Sequence, residues 1–243
     1  MKNMLAQPWV IAARNKLRSN RIAQTFYQRW MASHDYEERF GQRLLASVND
    51  STVVWDVGAN VGLYTRQFLD AGARHVVAFE PAPQALEVLN KDFGTSSPYA
   101  HRVTIVPAAL SDRSGVVRFS ADGSSPTNRI VDQGVAAAND LVEIRSVRAE
   151  EALRMYSLPP PGIVKIDVEG FEVEVLRGFG SVMGTPELRG VFVEVHFTRL
   201  HERGLDAGPA EISRLFKAQG FKLQWLDLSH LCAIRDTRPS RAV

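Results

Sequence analysis

Five acids and one histidine stand where chemistry could be done: Asp56, Glu80, Asp167, Glu169, Glu194 and His196. Each lies at or just past the end of a short apolar run, beside glycine, proline or a change of pattern. Carboxylates in such places are costly to desolvate unless they pair or meet a charged ligand. Spaced along several strands, they could hold the ribose of a nucleotide-sized cofactor and take the proton from a reacting hydroxyl.

The run Thr52 to Val57 is rich in β-branched residues, which suits a strand buried on both faces. It breaks at Gly58-Ala59-Asn60-Val61-Gly62, and Val61 to Ala71 then reads as a helix whose amino end faces a bound ligand. A glycine here can also serve only to turn the corner. The next strand, His75 to Phe79, ends on Glu80 and Pro81, about twenty residues after the turn, where a ribose-binding carboxylate belongs. The alternative for Glu80 is an exposed acid capping a helix that starts near Pro83. A dinucleotide site would want glycine where Asn60 stands, because a side chain there crowds the pyrophosphate. S-adenosyl-L-methionine has no phosphate, and its amino acid end suits an amide and an acid such as Asp56, so the turn argues for a methyl donor.

A third strand, Val103 to Val106, leads into Pro107 to Gly115. Small residues there, with Ser111 and Asp112, would admit an adenine ring, although Ser, Asp and Gly are also ordinary turn formers. In the run Ile163 to Gly178 a period of two puts Lys165 and Asp167 on one strand face. Lys165 reads equally as an ion-pair partner of Asp167 or Glu169 and as a substrate contact. Glu172 and Glu174 read as solvated helix face. Gly190 to Phe197 reads as another parallel strand with Glu194 and His196 on one face. His196 is either a satisfied core histidine or a proton-transfer group, its ordinary pKa being near neutral.

These segments together resemble the FkbM-type S-adenosylmethionine-dependent methyltransferases. The resemblance rests on Asp56 to Gly62, Phe79-Glu80-Pro81, Ala108 to Asp112 with Gly115, Lys165 to Glu172 with Leu176 and Gly178, and Glu194-Val195-His196. It implies a Rossmann-like class I methyltransferase fold and O-methylation of a hydroxyl on a sugar, glycolipid or polyketide-like product. It makes Asp56, Gly58, Asn60, Glu80, Pro81 and the segment containing Ala109, Ser111 and Asp112 the cofactor cradle. Asp167 would stand at the junction of cofactor and substrate. The base is expected to be His196 or an acid among Asp167, Glu169 and Glu194. Those acids have oxygen donors suited to Mg²⁺, but they do not define a coordination sphere, and no metal is expected.

The elements that must position these residues form a doubly wound, mostly parallel seven-stranded α/β sheet with its crevice at the strands' carboxyl ends. The 243 residues, 45% of them hydrophobic, suffice for one core. Residues 51–243 are expected to form the methyltransferase domain and residues 1–50 a helical extension. That extension has eight Lys or Arg, four acids and interleaved aromatics. Its roles could be packing, a substrate lid, a homo-oligomer contact or peripheral contact with a membrane surface. A net charge of +2 gives no reason to expect a nucleic acid partner. Gln7 and Pro8 interrupt the first apolar stretch, which argues against a signal peptide, and no run is long enough to span a membrane. One cysteine, Cys232, excludes an intrachain disulfide and fits a cytoplasmic location. Gly123 to Asn128 and Ala136 to Asp140 read as a loop insertion that could act as a flap before a strand at Val142 to Val147. An NAD(P)-dependent oxidoreductase and a non-catalytic glycan-binding or scaffold protein are the competing functions, with a small-molecule or glycan acceptor as partner in the first-choice reading.

Overall fold

The apolar run ahead of Asp56 is a central strand. A computed structural model describes residues 36–120, 129–130 and 141–235. The elements are α1 (Tyr36–Leu45), β1 (Val53–Val57), α2 (Leu63–Asp70), β2 (His75–Phe79), α3 (Pro83–Phe93), β3 (Val103–Val106), β4 (Ala109–Leu110), β5 (Gly115–Ser120) and β6 (Arg129–Ile130). They continue with β7 (Leu141–Val147), α4 (Ala149–Met155), β8 (Ile163–Ile166), α5 (Glu172–Gly178), a 3₁₀ turn (Gly180–Gly184), β9 (Gly190–Glu194), α6 (Phe197–Glu202), α7 (Gly208–Ala218), β10 (Lys222–Trp225) and β11 (His230–Ile234).

Seven strands form one sheet in the order β10-β11-β9-β8-β1-β2-β3. The five from β3 to β9 pair in parallel, and the β10–β11 hairpin closes that side antiparallel to β9. From β1 the chain winds outward to β3 and later returns to β8 on the other side of β1. This is the doubly wound architecture expected, and the reversal opens a crevice at the carboxyl ends of β1 and β8.

Alternation along the strands divides the core. Trp55 and Val57 point to the face packed by Ala152, Val175, Leu176, Ile212 and Phe216 of α4, α5 and α7. Val54, Ile163 and Phe192 point to the opposite face, with Phe40 and Leu44 of α1, Phe68 of α2 and Phe93 of α3. Asp56 is paired in register with Lys165, and both share the second face by the period of two. Phe192 and Glu194 share that face as well, with α1 packed across it.

Two turn glycines answer to packing. Gly58 has φ 78°, and a Cβ there would lie 1.9 Å from the carbonyl oxygen of Asp167. Gly62 has φ 85°, and its Cβ would lie 2.5 Å from the Phe93 ring. Both need backbone freedom and space that only glycine combines.

A second, four-stranded sheet in the order β4-β7-β5-β6 differs from the loop insertion expected around one strand. β5 and β7 pair antiparallel from Gly115↔Ser146 to Ser120↔Leu141. Val117 and Val142 pack on Ala82, Ala85 and Ile144, an apolar patch too small to signal a sheet in the sequence. The expected flap segments Gly123 to Asn128 and Ala136 to Asp140 lie outside the described residues, as do residues 1–35. Among the described residues no helix is long and apolar enough to cross a membrane.

Candidate functional site

The turn after β1 is tied to the end of β2. The N–H groups of Gly58 and Ala59 both donate to the Phe79 carbonyl at 3.0 Å. Glu80 is buried and accepts from Asn60 N at 2.8 Å on one oxygen and from Ala82 N at 2.8 Å on the other. Glu80 therefore braces the turn after β1 and the start of α3, as a buried acid rather than an exposed one. Each oxygen keeps a second lone pair free for a ligand. Burial raises the Glu80 carboxyl pKa, and the two backbone donors and Lys165 oppose that rise. Asn60 is exposed in the left-handed region at φ 49°, where asparagine is tolerated, and Pro81 is half-buried beside Glu80.

Asp56 lies beneath this turn. It has no exposed surface, accepts from the Thr65 hydroxyl at 2.7 Å and pairs with Lys165 Nζ at 3.3 Å. From there the carboxylate holds the turn from below. Lys165 is equally enclosed, donates to the Gly58 carbonyl at 3.1 Å, and pairs with Asp167 Oδ2 at 3.4 Å. Its ion-pair role is thus realised with Asp167, and with Asp56 in addition. Burial opposes the Lys165 charge, but Asp56 and Asp167 outweigh it and raise the pKa. The Tyr64 ring lies 5.0 Å from the ammonium.

At the ends of β8 and β9 the acids converge on His196. β9 stops at Glu194, so His196 lies beyond the strand at the start of α6, where the chain turns its ring back over the sheet edge. Its Nδ1 is 2.7 Å from Glu172 Oε1. Its Nε2 is 3.5 Å from Glu169, 3.7 Å from Asp167 and 3.9 Å from Glu194 Oε1. An ionised carboxylate only accepts, so Nδ1 is the protonated nitrogen towards Glu172. Burial opposes a charge on His196, yet the Glu172 bond and the fields of Glu172, Glu169 and Glu194 raise its pKa to about 9. Burial raises Glu169. Glu194 is held low by His230 and His196 against its own desolvation.

Glu172 and Glu174 are not solvated. Glu172 has no exposed surface and also accepts from Gly170 N at 2.9 Å. Glu174 pairs with Arg203 at 2.7 Å, and Arg203 also donates to the Gly170 carbonyl and stacks on Phe171. A helix starting at Glu172 against a strand end turns its first residue inward, which periodicity within the helix alone did not reveal. Glu169 sits at φ 50°, bent towards His196. Asp167, Glu169 and His196 each offer a ligand atom, all within 4.8 Å of one another, an arrangement able to hold a divalent cation as well as a proton.

Ala109, Ser111 and Asp112 are apart from this cluster. Ala109 is in β4, paired with Ser146. Ser111 is buried with its N–H on the Val147 carbonyl, and the Asp112 carbonyl accepts from Arg148. Two participants carried no local motif. His230 is in register with Glu194 across β9 and β11, its Nε2 3.6 Å from Glu194 Oε2 and its Nδ1 2.6 Å from Asp227. Only the pairing of the last hairpin brings them to the site.

The Methyltransferase FkbM domain family matches residues 56–223. The hexuronic acid methyltransferase AglP of Haloferax volcanii is 29% identical over 157 residues, covering 63% of this chain and 59% of that protein. The 31-O-demethyl-FK506 methyltransferase FkbM of Streptomyces tacrolimicus is 29% identical over 203 residues, covering 70% of this chain and 72% of that protein. The crystal structure of methyltransferase FkbM from Methylobacillus flagellatus KT superposes with a TM-score of 0.53 at 15% identity, covering 76% of this chain and 44% of that one, which supports the Rossmann-like fold. The matched span contains Asp56, Glu80, Asp167, Glu169, Glu194 and His196 and covers more than half of the sequence, and this chain belongs to the FkbM methyltransferase family.

Proposed function

We propose that this protein is an S-adenosyl-L-methionine-dependent O-methyltransferase acting on a hydroxyl of a sugar, glycolipid or polyketide-like natural product. The observation that carries the reading is the convergence of Asp167, Glu169 and Glu194 on His196 Nε2 at the sheet's reversal point. The names of the two relatives, one acting on a hexuronic acid and one on demethyl-FK506, support the acceptor class.

The residues present fit the cofactor. Glu80 has lone pairs left for ribose hydroxyls, and Asn60 and Gly58 line the turn beside it, with Pro81 framing the strand end. The segment Ala109 to Asp112 is assigned to the adenine side. The acid-rich crevice suits a sulfonium and an ammonium better than a pyrophosphate. When bound, the cofactor supplies an electrophilic methyl group. Asp167, held by Lys165, would stand at the junction of cofactor and acceptor. His196 is charged at neutral pH and is a donor there rather than a base. The hydroxyl proton therefore goes to a carboxylate, and Glu169, 3.5 Å from His196 Nε2 and raised by burial, is the one assigned to it. Glu194 orients the acceptor. The buried thiol of Cys232 is consistent with a reducing cytoplasm.

Isothermal titration with S-adenosylhomocysteine and, separately, NADH tests the cofactor. Binding of the first alone supports the proposal and leads to a mass-spectrometric screen of hydroxylated glycans and polyketides for added methyl groups. Binding of NADH alone would replace it with the oxidoreductase reading.

A further inference from the structure

Glu194 has two oxygens with different surroundings. Oε1 faces His196 Nε2 at 3.9 Å, and Oε2 faces His230 Nε2 at 3.6 Å. The two imidazoles are anchored in the same way at their other nitrogen, His196 by Glu172 and His230 by Asp227. Carboxylates and imidazoles thus alternate from Glu172 through His196, Glu194 and His230 to Asp227.

The far end of this chain is rigid. Asp227 Oδ1 accepts from Ser229 N at 2.7 Å and from His230 N at 2.8 Å, which locks it into the β10–β11 turn. Phe40 of α1 stacks on the His230 ring with centroids 4.2 Å apart. His230 is buried, while Glu194 is the most exposed of the acids around His196, with 35% of its side chain open. His230 and Asp227 lie beyond the matched residues 56–223, and Phe40 lies before them.

We infer that His230 and Asp227 are positioning residues for the acceptor: they pin one oxygen of Glu194 so that the other receives the acceptor's hydroxyl beside His196. The inference rests on the methyltransferase reading for its acceptor, but the geometry of the chain can be tested without it.

The experiment uses the full chain, its Asp227→Asn and Glu194→Gln variants, and His230→Gln in case Asp227→Asn does not fold. Proton spectra should show the Nδ1–H resonances of His196 and His230 well downfield, as charge-assisted hydrogen bonds require. Asp227→Asn should shift or remove the His230 resonance and also displace that of His196, which it does not touch; Glu194→Gln should displace both. With an acceptor from the screen, Asp227→Asn should lower kcat/KM about tenfold to a hundredfold through misplacement, with affinity for S-adenosylhomocysteine unchanged. A His196 resonance unmoved by Asp227→Asn would overturn the inference, as would a parallel loss of cofactor affinity and acceptor efficiency. Failure of the wild type to bind S-adenosylhomocysteine would sink the methyltransferase reading, and the spectra would still decide the chain.

Discussion

Nδ1 of His196 lies 2.7 Å from Oε1 of Glu172, a carboxylate with no exposed surface. Glu172 fixes the ring so that Nε2 meets the three other acids, and it also holds the Gly170 N–H. Glu172→Ala should therefore destabilise the fold by about 3–5 kcal/mol, because it removes the acidic partner of a buried imidazole and leaves the His196 Nδ1–H and the Gly170 N–H without an acceptor. Glu172→Gln, whose amide oxygen can still accept from Nδ1, should lose less, about 1–2 kcal/mol. Urea unfolding of the two variants checks the order; equal losses would mean that the negative charge, absent from both variants, matters rather than the hydrogen bond or the volume.

The imidazoles also set a pH dependence. His196 and His230 are each raised from 6.5 to about 9 in the folded protein. A raised pKa means that the native state binds protons that the unfolded state releases, so this stabilisation is complete below about pH 6.5 and lost as pH rises through 9. Thermal unfolding should occur roughly 5 °C or more lower at the alkaline end of that window than at the acid end. A flat melting temperature across it would exclude two buried imidazoliums.

Lys165 and Asp56 form the neighbouring pair, in register across β1 and β8 and both enclosed. Lys165→Met leaves Asp56 with the Thr65 hydroxyl and no counter-charge, at a cost of about 3–5 kcal/mol. Replacing both, as Asp56→Asn with Lys165→Met, removes the stranded charge and should recover part of the loss. Denaturant midpoints of the single and double variants measure the coupling. A double variant no more stable than Lys165→Met would place the main role of Lys165 at Asp167.

Much of this was legible in the sequence because strand ends announce themselves. The runs before Asp56, Glu80 and Asp167 are apolar, short and broken by glycine or proline, so the order of elements and the site's edge followed from local pattern. What depends on register was hidden. Asp56 reads as a strand-end acid, and only the pairing with Lys165 and the packing of α1 and α2 reveal that it points beneath the turn. Glu172 reads as a helix acid because its partner, His196, comes from another strand's end. His230 and Asp227 carry no motif, since an antiparallel hairpin from the chain's last segment delivers them. The second sheet was missed because its apolar face is a few residues wide.

Glu80 gives the most direct test of the crevice. Its two oxygens brace Asn60 and Ala82, so the same carboxylate that would receive ribose hydroxyls also shapes the turn that receives the rest of the ligand. Glu80→Ala should weaken S-adenosylhomocysteine binding by about 1–3 kcal/mol through lost charge-assisted hydrogen bonds. Glu80→Gln separates the two roles. Its amide oxygen can keep one backbone N–H, but its NH₂ would face the other, so the turn should loosen while part of the ribose contact persists. Calorimetric titration of both variants, with melting temperatures as the control for folding, gives the answer. Glu80→Gln affinity between wild type and Glu80→Ala fits a direct ribose contact. Wild-type affinity in Glu80→Ala would remove Glu80 from the site and leave it as the brace of the turn alone.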